Sequence, residues 1–212
     1  MSLIIAIDGP AAAGKGTLAR RLAGHFGVPH LDTGLLYRAT GRRVLDAGGD
    51  PADPATAEAA ARTLRPEDLA RTDLRGPAAD RAAAAVASIP GVRAALLAFQ
   101  RGFADGPGAV LDGRDIGTVV FPAATAKLFV TASAEARGRR RWLELQGRGE
   151  AADLGIVTEQ VRVRDRQDRD RTAAPLVAAS DADLLDTTDL DADATFAAAL
   201  DLLARRGVRR FA

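Results

Sequence analysis

Short, wholly apolar runs alternate along this chain with longer stretches in which apolar residues recur every three or four positions. The run Leu3–Asp8 is too short and too apolar for a surface helix and predicts a buried parallel strand. Residues 17–26 then carry Leu18, Leu22 and Phe26 at a spacing of four, with Gly27 as a stop, which predicts a helix. A short strand over 28–31 and a helix over 35–47 follow. Asp53 is placed to cap a new helix whose first residue is Pro54. The pattern is helical over most of 55–105, broken near Pro66, Gly76 and Pro90, and the block reads as an insertion between strands. Strand character returns over 109–112 and 127–131. Ser133 can cap an arginine-rich helix reaching Gln146, 147–155 reads as a mobile connection, and 158–171 as a strongly charged helix. Asp183–Asp186 is the last strand and 192–206 a closing helix. This alternation predicts an α/β fold, a parallel sheet covered on both faces, with ligands at the carboxyl ends of its strands.

Composition sharpens the picture only in places. Hydrophobic residues make up 47% of the 212 positions and aromatics 4%, so the core should be aliphatic. No apolar run is long enough to span a bilayer. The absence of cysteine excludes disulfides, thiolate metal sites and thiol nucleophiles, and with no signal-peptide pattern a cytoplasmic protein is expected. A net charge of +1 gives no global attraction to nucleic acid or membrane, so any anion site must be local. Among 29 basic residues only Lys15 and Lys127 are lysines, and Lys15 stands inside a glycine loop, where a compact ammonium fits among phosphate oxygens better than a planar guanidinium.

That loop is Gly9, Pro10, Ala11, Ala12, Ala13, Gly14, Lys15, Gly16 and Thr17, lying between the first strand and the first helix. Its glycines let backbone N–H groups turn inward around phosphates at a helix N-terminus, and Lys15 adds charge for the β and γ phosphates. The usual Ser or Thr after the lysine is Gly16, and the hydroxyl moves to Thr17. The sequence GKGT resembles the loop of nucleoside monophosphate kinases, in which magnesium is held mainly by phosphates and water with the Thr nearby. No direct protein ligand to the metal is expected, and His25 and His30 lack partners at metal spacing.

Thr33, Tyr37 and Arg38 fall at the end of the second strand and the start of the next helix, facing the same crevice. Tyr37 offers a ring and a hydroxyl, or serves as half-buried packing; Arg38 offers a fork for phosphate. After the third strand, Arg114 can hold a phosphate and Asp115 can accept from an exocyclic amine, although an ordinary ion pair would read the same. Arg164, Asp168 and Arg171 share one helix face, but alternating Arg and Asp is also what a solvated helix looks like.

The segments IDGPAAAGKGT, LDTGLLYR, LDGRDIGTVVFP and RDRQDRDRTAAPL, in that order, resemble bacterial cytidylate kinases from about Leu3 to Thr188, most weakly between Thr56 and Ala82. The resemblance implies a P-loop NTPase fold: a five-stranded parallel sheet flanked by helices, a monophosphate-binding insertion and a lid. The core would be about 1–52, 106–146 and 172–212, the insertion about 53–105 and the lid region about 147–171. It implies transfer of the γ-phosphoryl group of ATP, bound with Mg2+, to CMP or dCMP. By resemblance Arg114 and Arg171 bind phosphate, Asp115 reads the base, Arg164 and Asp168 hold the sugar, and Arg93 contacts the pyrimidine. One of Arg139, Arg140 and Arg141 would meet ATP, with Arg140 assigned; Arg162, Arg166 and Asp170 are left to solvent. Lys15, Arg114 and Arg171 carry the transfer.

Two departures stand out. Ala84 replaces a serine that usually contacts the base, which leaves a broader UMP/CMP kinase or another small-molecule P-loop kinase as the alternative. The segment between Leu64 and Leu74 lacks strand-like alternation, so the insertion should be mostly helical. The chain has no asparagine, hence no Asn-Lys-x-Asp guanine reader of a GTPase switch. A monomer is expected, and the arginines at 205, 206, 209 and 210 are expected to serve the negative end of the last helix.

Overall fold

The computed structural model describes residues 2–171 and 174–209. Its elements in chain order are β1 (Leu3–Asp8), α1 (Lys15–Phe26), β2 (His30–Asp32), α2 (Thr33–Asp46), α3 (Pro54–Arg62), a 3-10 turn (Pro66–Ala70), α4 (Pro77–Ala87), α5 (Pro90–Phe103), β3 (Gly108–Gly113), a π turn (Ile116–Val120), β4 (Ala126–Thr131), α6 (Ala134–Gly147), α7 (Leu154–Arg169), β5 (Asp183–Asp186) and α8 (Ala192–Arg205). The five strands form one sheet in the order β2-β3-β1-β4-β5. β1 pairs in parallel with both β3 and β4, and β4 in parallel with β5. The α/β architecture with a five-stranded sheet expected from the sequence is the one observed.

Strand β1 is buried along its whole length because it has a neighbour on each edge and helices beyond each face, which is why its sequence carries no polar alternation. Ile5, Ile7, Val110, Leu128 and Val130 meet Leu18 and Leu22 of α1 and Leu203 of α8 in one aliphatic core. Several helix starts follow the capping rules: Asp53, Ser133, Asp153 and Asp191 each accept from a backbone N–H of the turn they precede. Helix α7 therefore begins at Leu154, four residues ahead of the sequence expectation, since the Asp153 cap outweighs the loop signal of Gly155. Strand β2 is shifted to 30–32 because Pro29 has no N–H for the ladder; its carbonyl instead accepts from Val110 N at 2.9 Å.

Two compact units are present. One comprises the described residues up to His30 and from Gly106 on; the other is Leu31–Asp105. The second unit takes in α2 as well as the 53–105 segment. The cause is a close approach of α2 to α4: a Cβ on Gly41 would lie 2.8 Å from Ala82 Cβ and 2.9 Å from its carbonyl carbon. Between α3 and α4 the only regular element is the 3-10 turn, so apart from β2 the regular elements of this unit are all helical. Arg206 pairs with Asp183 and donates to Asp181 O at 2.9 Å rather than serving its own helix end, while Arg210 lies outside the described residues. No single helix among the described residues is long and apolar enough to cross a membrane.

Candidate active site

The turn after β1 is shaped by backbone that few residues can adopt. Gly9 has φ +146°, and a Cβ there would sit 1.9 Å from Val130 O, so only glycine fits. Ala12 (φ 59°) and Gly14 (φ 89°) are also left-handed, and they bend the chain into the start of α1. A loop whose N–H groups face a phosphate must turn its carbonyls elsewhere, and these carbonyls have donors. Lys15 Nζ donates to Pro10 O at 2.7 Å and Arg137 Nη1 to Ala11 O at 3.2 Å. Thr187 Oγ1 lies 3.2 Å from Ala13 O and 3.0 Å from Thr131 O, with one proton to give. The first amides of α1 have no partner within the helix, which leaves them for an anion. Lys15 is buried, and Thr17 is exposed on the first turn.

The carboxyl edge of the sheet adds acids. The register of β1 on β3 sets Ile7 against Asp112 and Asp8 against Gly113, so both carboxylates emerge at the same edge. Asp112 Oδ1 lies 2.7 Å from His30 Nε2, and its Oδ2 is 3.9 Å from where a Cβ on Gly16 would be. His30 is thus tied to a carboxylate of the sheet edge. Asp8 accepts from Ile116 N at 2.8 Å and Gly117 N at 2.7 Å, fixing the π turn that follows Arg114 and Asp115. Burial raises the Asp8 carboxyl to about 6 and Asp115 adds repulsion, against the two backbone hydrogen bonds and Lys15.

The raised value has a measurable sign. Between about pH 4 and pH 6 the folded protein holds a proton on Asp8 that the unfolded chain releases, so this group's contribution to stability falls as pH rises through that window. Its full size is on the order of 3 kcal/mol. Thermal melts of the wild type and Asp8→Asn across this range should show the slope weaker in the variant. Parallel curves would remove Asp8 as its source.

The charged face of α7 is ordered rather than merely solvated. Asp168 is 1% exposed; it accepts from Arg114 Nε at 2.6 Å and from Arg171 Nη2. Burial pushes its carboxyl up, yet Arg114, Arg171 and Arg164 together hold it below the usual carboxylate range. Arg114, Arg164 and Arg171 therefore all act on the one buried carboxylate of Asp168. Leu176 N donates to Asp168 O at 2.8 Å, pinning the chain beyond the helix. Arg162, Arg166 and Asp170 are exposed, as the sequence suggested. Asp115 is buried beside the π turn, accepting at its backbone carbonyl from Val119 N at 2.9 Å.

Helix α6 spreads its arginines over different partners. Arg140 donates to Thr187 Oγ1 at 3.0 Å, to Thr187 O, and to Leu190 O at 3.3 Å, so its guanidinium stiffens the turn after β5. Arg139 is exposed and Arg141 pairs with Glu144 at 2.8 Å. The arginine that reaches the phosphate loop is Arg137, which the sequence reading did not single out.

In the second unit, Thr33 is buried and Tyr37 half-buried, with the Arg93 guanidinium 5.7 Å from the Tyr37 ring centre. Arg93 Nη1 also donates to Ala87 O at 3.4 Å. Arg38 forks onto Asp80 at 3.0–3.1 Å, a partner the sequence reading did not name. Ala84 is exposed on α4.

A sequence model described as cytidylate kinase matches residues 5–205. This chain belongs to the cytidylate kinase family. The family's curated members match nearly end to end: cytidylate kinase of Granulibacter bethesdensis is 62% identical over 99% of this chain and 100% of its own, and that of Paramagnetospirillum magneticum 64% identical over 96% and 98%. Among solved structures, an uncharacterized protein from Eubacterium ventriosum aligns with a TM-score of 0.57 over 98% of this chain and 100% of its own, at 13% identity, a likeness of fold alone.

Proposed function

We propose that this chain transfers the γ-phosphoryl group of ATP to CMP and dCMP. The observation that supports this most directly is the cluster around Asp168, where three arginines share one buried carboxylate in the same compact unit as Lys15 and the phosphate loop. Such a cluster suits a dianionic acceptor phosphate, and the loop suits the polyphosphate of the donor. Phosphoryl transfer with a loose transition state asks for alignment and charge neutralisation rather than covalent chemistry. Lys15 and the loop amides bind the donor at Gly9 to Thr17; Arg114 and Arg171 hold the acceptor phosphate, with Arg164 and Asp168 toward its sugar and Asp115 toward the base. Thr33, Tyr37, Arg38 and Arg93 are the substrate contacts of the second unit. A phosphate monoester is largely a dianion at neutral pH, so no general base is needed.

Magnesium fits this edge. It keeps most of its waters and takes one or two carboxylates along with substrate phosphates, and here Asp112 and the Thr17 hydroxyl lie by the loop with no acidic or histidine cage among the described residues. When bound with ATP it neutralises charge on the phosphates. Arg140 acts on the donor side by stiffening the turn at Thr187, whose hydroxyl touches Ala13 O. We assign the core to about 1–52, 106–146 and 172–212, the monophosphate-binding insertion to 53–105 and the lid to 147–171, and a cytoplasmic monomer without nucleic-acid or membrane partners.

A second reading, a broader UMP/CMP kinase, has only Ala84 behind it, a missing hydroxyl contact being worth about 1 kcal/mol of base selectivity, and the near full-length likeness to cytidylate kinases does not favour it. The test is ADP release from ATP and magnesium with CMP, dCMP, UMP, AMP, GMP and shikimate offered separately. Turnover confined to CMP and dCMP is expected. Comparable turnover with UMP would establish the broader enzyme, and silence with every nucleotide would overturn the proposal.

A further inference from the structure

Arg137 is 4% exposed although it carries a full charge, and each arm of its guanidinium is committed. Nε donates to Ala132 O at 2.8 Å, closing the end of β4 onto α6. Nη1 donates to Asp165 Oδ1 at 2.8 Å and Nη2 to Asp165 Oδ2 at 2.6 Å, a two-point fork onto α7. Nη1 also reaches Ala11 O at 3.2 Å, inside the phosphate loop. A buried ion pair is a poor source of net stability, because desolvating both charges offsets most of their attraction. What this pair does supply is position. It ties a carbonyl of the loop to the turn of α7 that carries Arg164 and Asp168.

The seam beneath the pair is unusually tight. A Cβ on Gly138 would fall 2.3 Å from Thr158 Oγ1 and 2.9 Å from Thr158 Cα, so α6 and α7 meet almost backbone to backbone beside Arg137. The Thr158 hydroxyl is itself fixed, donating to Leu154 O at 2.7 Å. The loop, α6 and α7 thus share one short, fully satisfied chain of contacts: Ala11 carbonyl, Arg137, Asp165.

We propose that Arg137 and Asp165 are positioning residues that lock the phosphate loop to α7, setting donor loop and acceptor-phosphate arginines in one register. The proposal rests on the kinase reading above for its kinetic consequence, but its structural consequence is independent of it. Holding Ala11 O outward keeps the neighbouring amides turned toward the phosphates; holding Asp165 keeps Arg164 and Asp168 one turn apart on a fixed helix face. Loosening either partner should blur both sites at once, although neither residue needs to touch substrate.

The experiment compares the wild type with Asp165→Asn, Asp165→Glu and Arg137→Lys. Hydrogen exchange of the peptide covering residues 9–17 is followed with and without a non-hydrolysable ATP analogue, together with kcat and both KM values. Asp165→Asn and Arg137→Lys should speed exchange in the loop about tenfold while strands β1 and β4 stay protected. They should lower kcat about tenfold or more and raise KM for both nucleotides, and Asp165→Glu should recover part of each effect. Unchanged loop exchange, or a lower melting temperature with kcat and both KM values intact, would overturn the proposal. If Asp165→Asn does not fold, Arg137→Lys decides by the same readouts. Absence of CMP turnover in the wild type would strike the kinase reading and leave the exchange result to judge the lock.

Discussion

Replacing Lys15 by methionine is expected to lower phosphoryl transfer at least about 10³-fold while leaving the fold in place. The scale follows from losing a fixed positive group where charge develops on the transferring phosphoryl. Lys15 Nζ reaches over the loop to Pro10 O at 2.7 Å, so the ammonium is held at the loop and not out in solvent. Methionine has nearly the same length and keeps the buried methylenes packed, while it removes the charge, the hydrogen bond to Pro10 O and the attraction that Lys15 exerts on the buried Asp8 carboxyl. Loss of the hydrogen bond to Pro10 O costs on the order of 1 kcal/mol. Saturating ADP-release assays and thermal melts on one purified sample separate the two effects. Near-normal turnover would remove Lys15 from the transfer step, and a collapsed melt would show that its bond to the loop is structural.

Much of this site could be read before the structure because its signals are local. The loop is legible from glycine spacing between an apolar strand and a periodic helix, and the caps at Asp53 and Ser133 each satisfy an N–H within three residues. The lock at Arg137 was hidden for the opposite reason. Helix α6 offers Arg137, Arg139, Arg140 and Arg141 in near succession, and nothing in that run distinguishes the buried one. Burial is decided by partners 28 and 126 positions away in sequence. Two weak signals were present. Gly138 inside an arginine-rich helix marks a close backbone approach. On α7 the buried face runs Val157, Val161, Asp165, Asp168, so the apolar stripe continues into two carboxylates that could not be solvated. Pairing of α2 with α4 was likewise invisible, since Gly41 reads as an ordinary weak point of a helix until Ala82 is seen against it.

Asp168 is the position where fold and function are expected to fail together. In Asp168→Ala, Arg114, Arg171 and Arg164 would face one another without their shared anion, and removing one side of a buried ion pair costs about 3–5 kcal/mol. For a chain of this size that corresponds to roughly 6–20 °C in melting temperature. Because the wild-type carboxyl is depressed, its stabilisation is complete above the unfolded value near 3.8 and is lost as pH falls through the lower folded value. Acid melts of the wild type should therefore steepen below about pH 4, and those of Asp168→Ala should not. Inorganic phosphate supplies a second readout. With that carboxylate gone the remaining guanidiniums favour an anion, so phosphate or CMP should restore more melting temperature to Asp168→Ala than to the wild type. Arg171→Ala provides the contrast: it leaves Asp168 paired with Arg114, so it should cost far less stability while removing most turnover. Equal stability losses in the two variants, with no rescue by phosphate, would mean that the cluster is an ordinary structural ion pair and that the acceptor phosphate binds elsewhere.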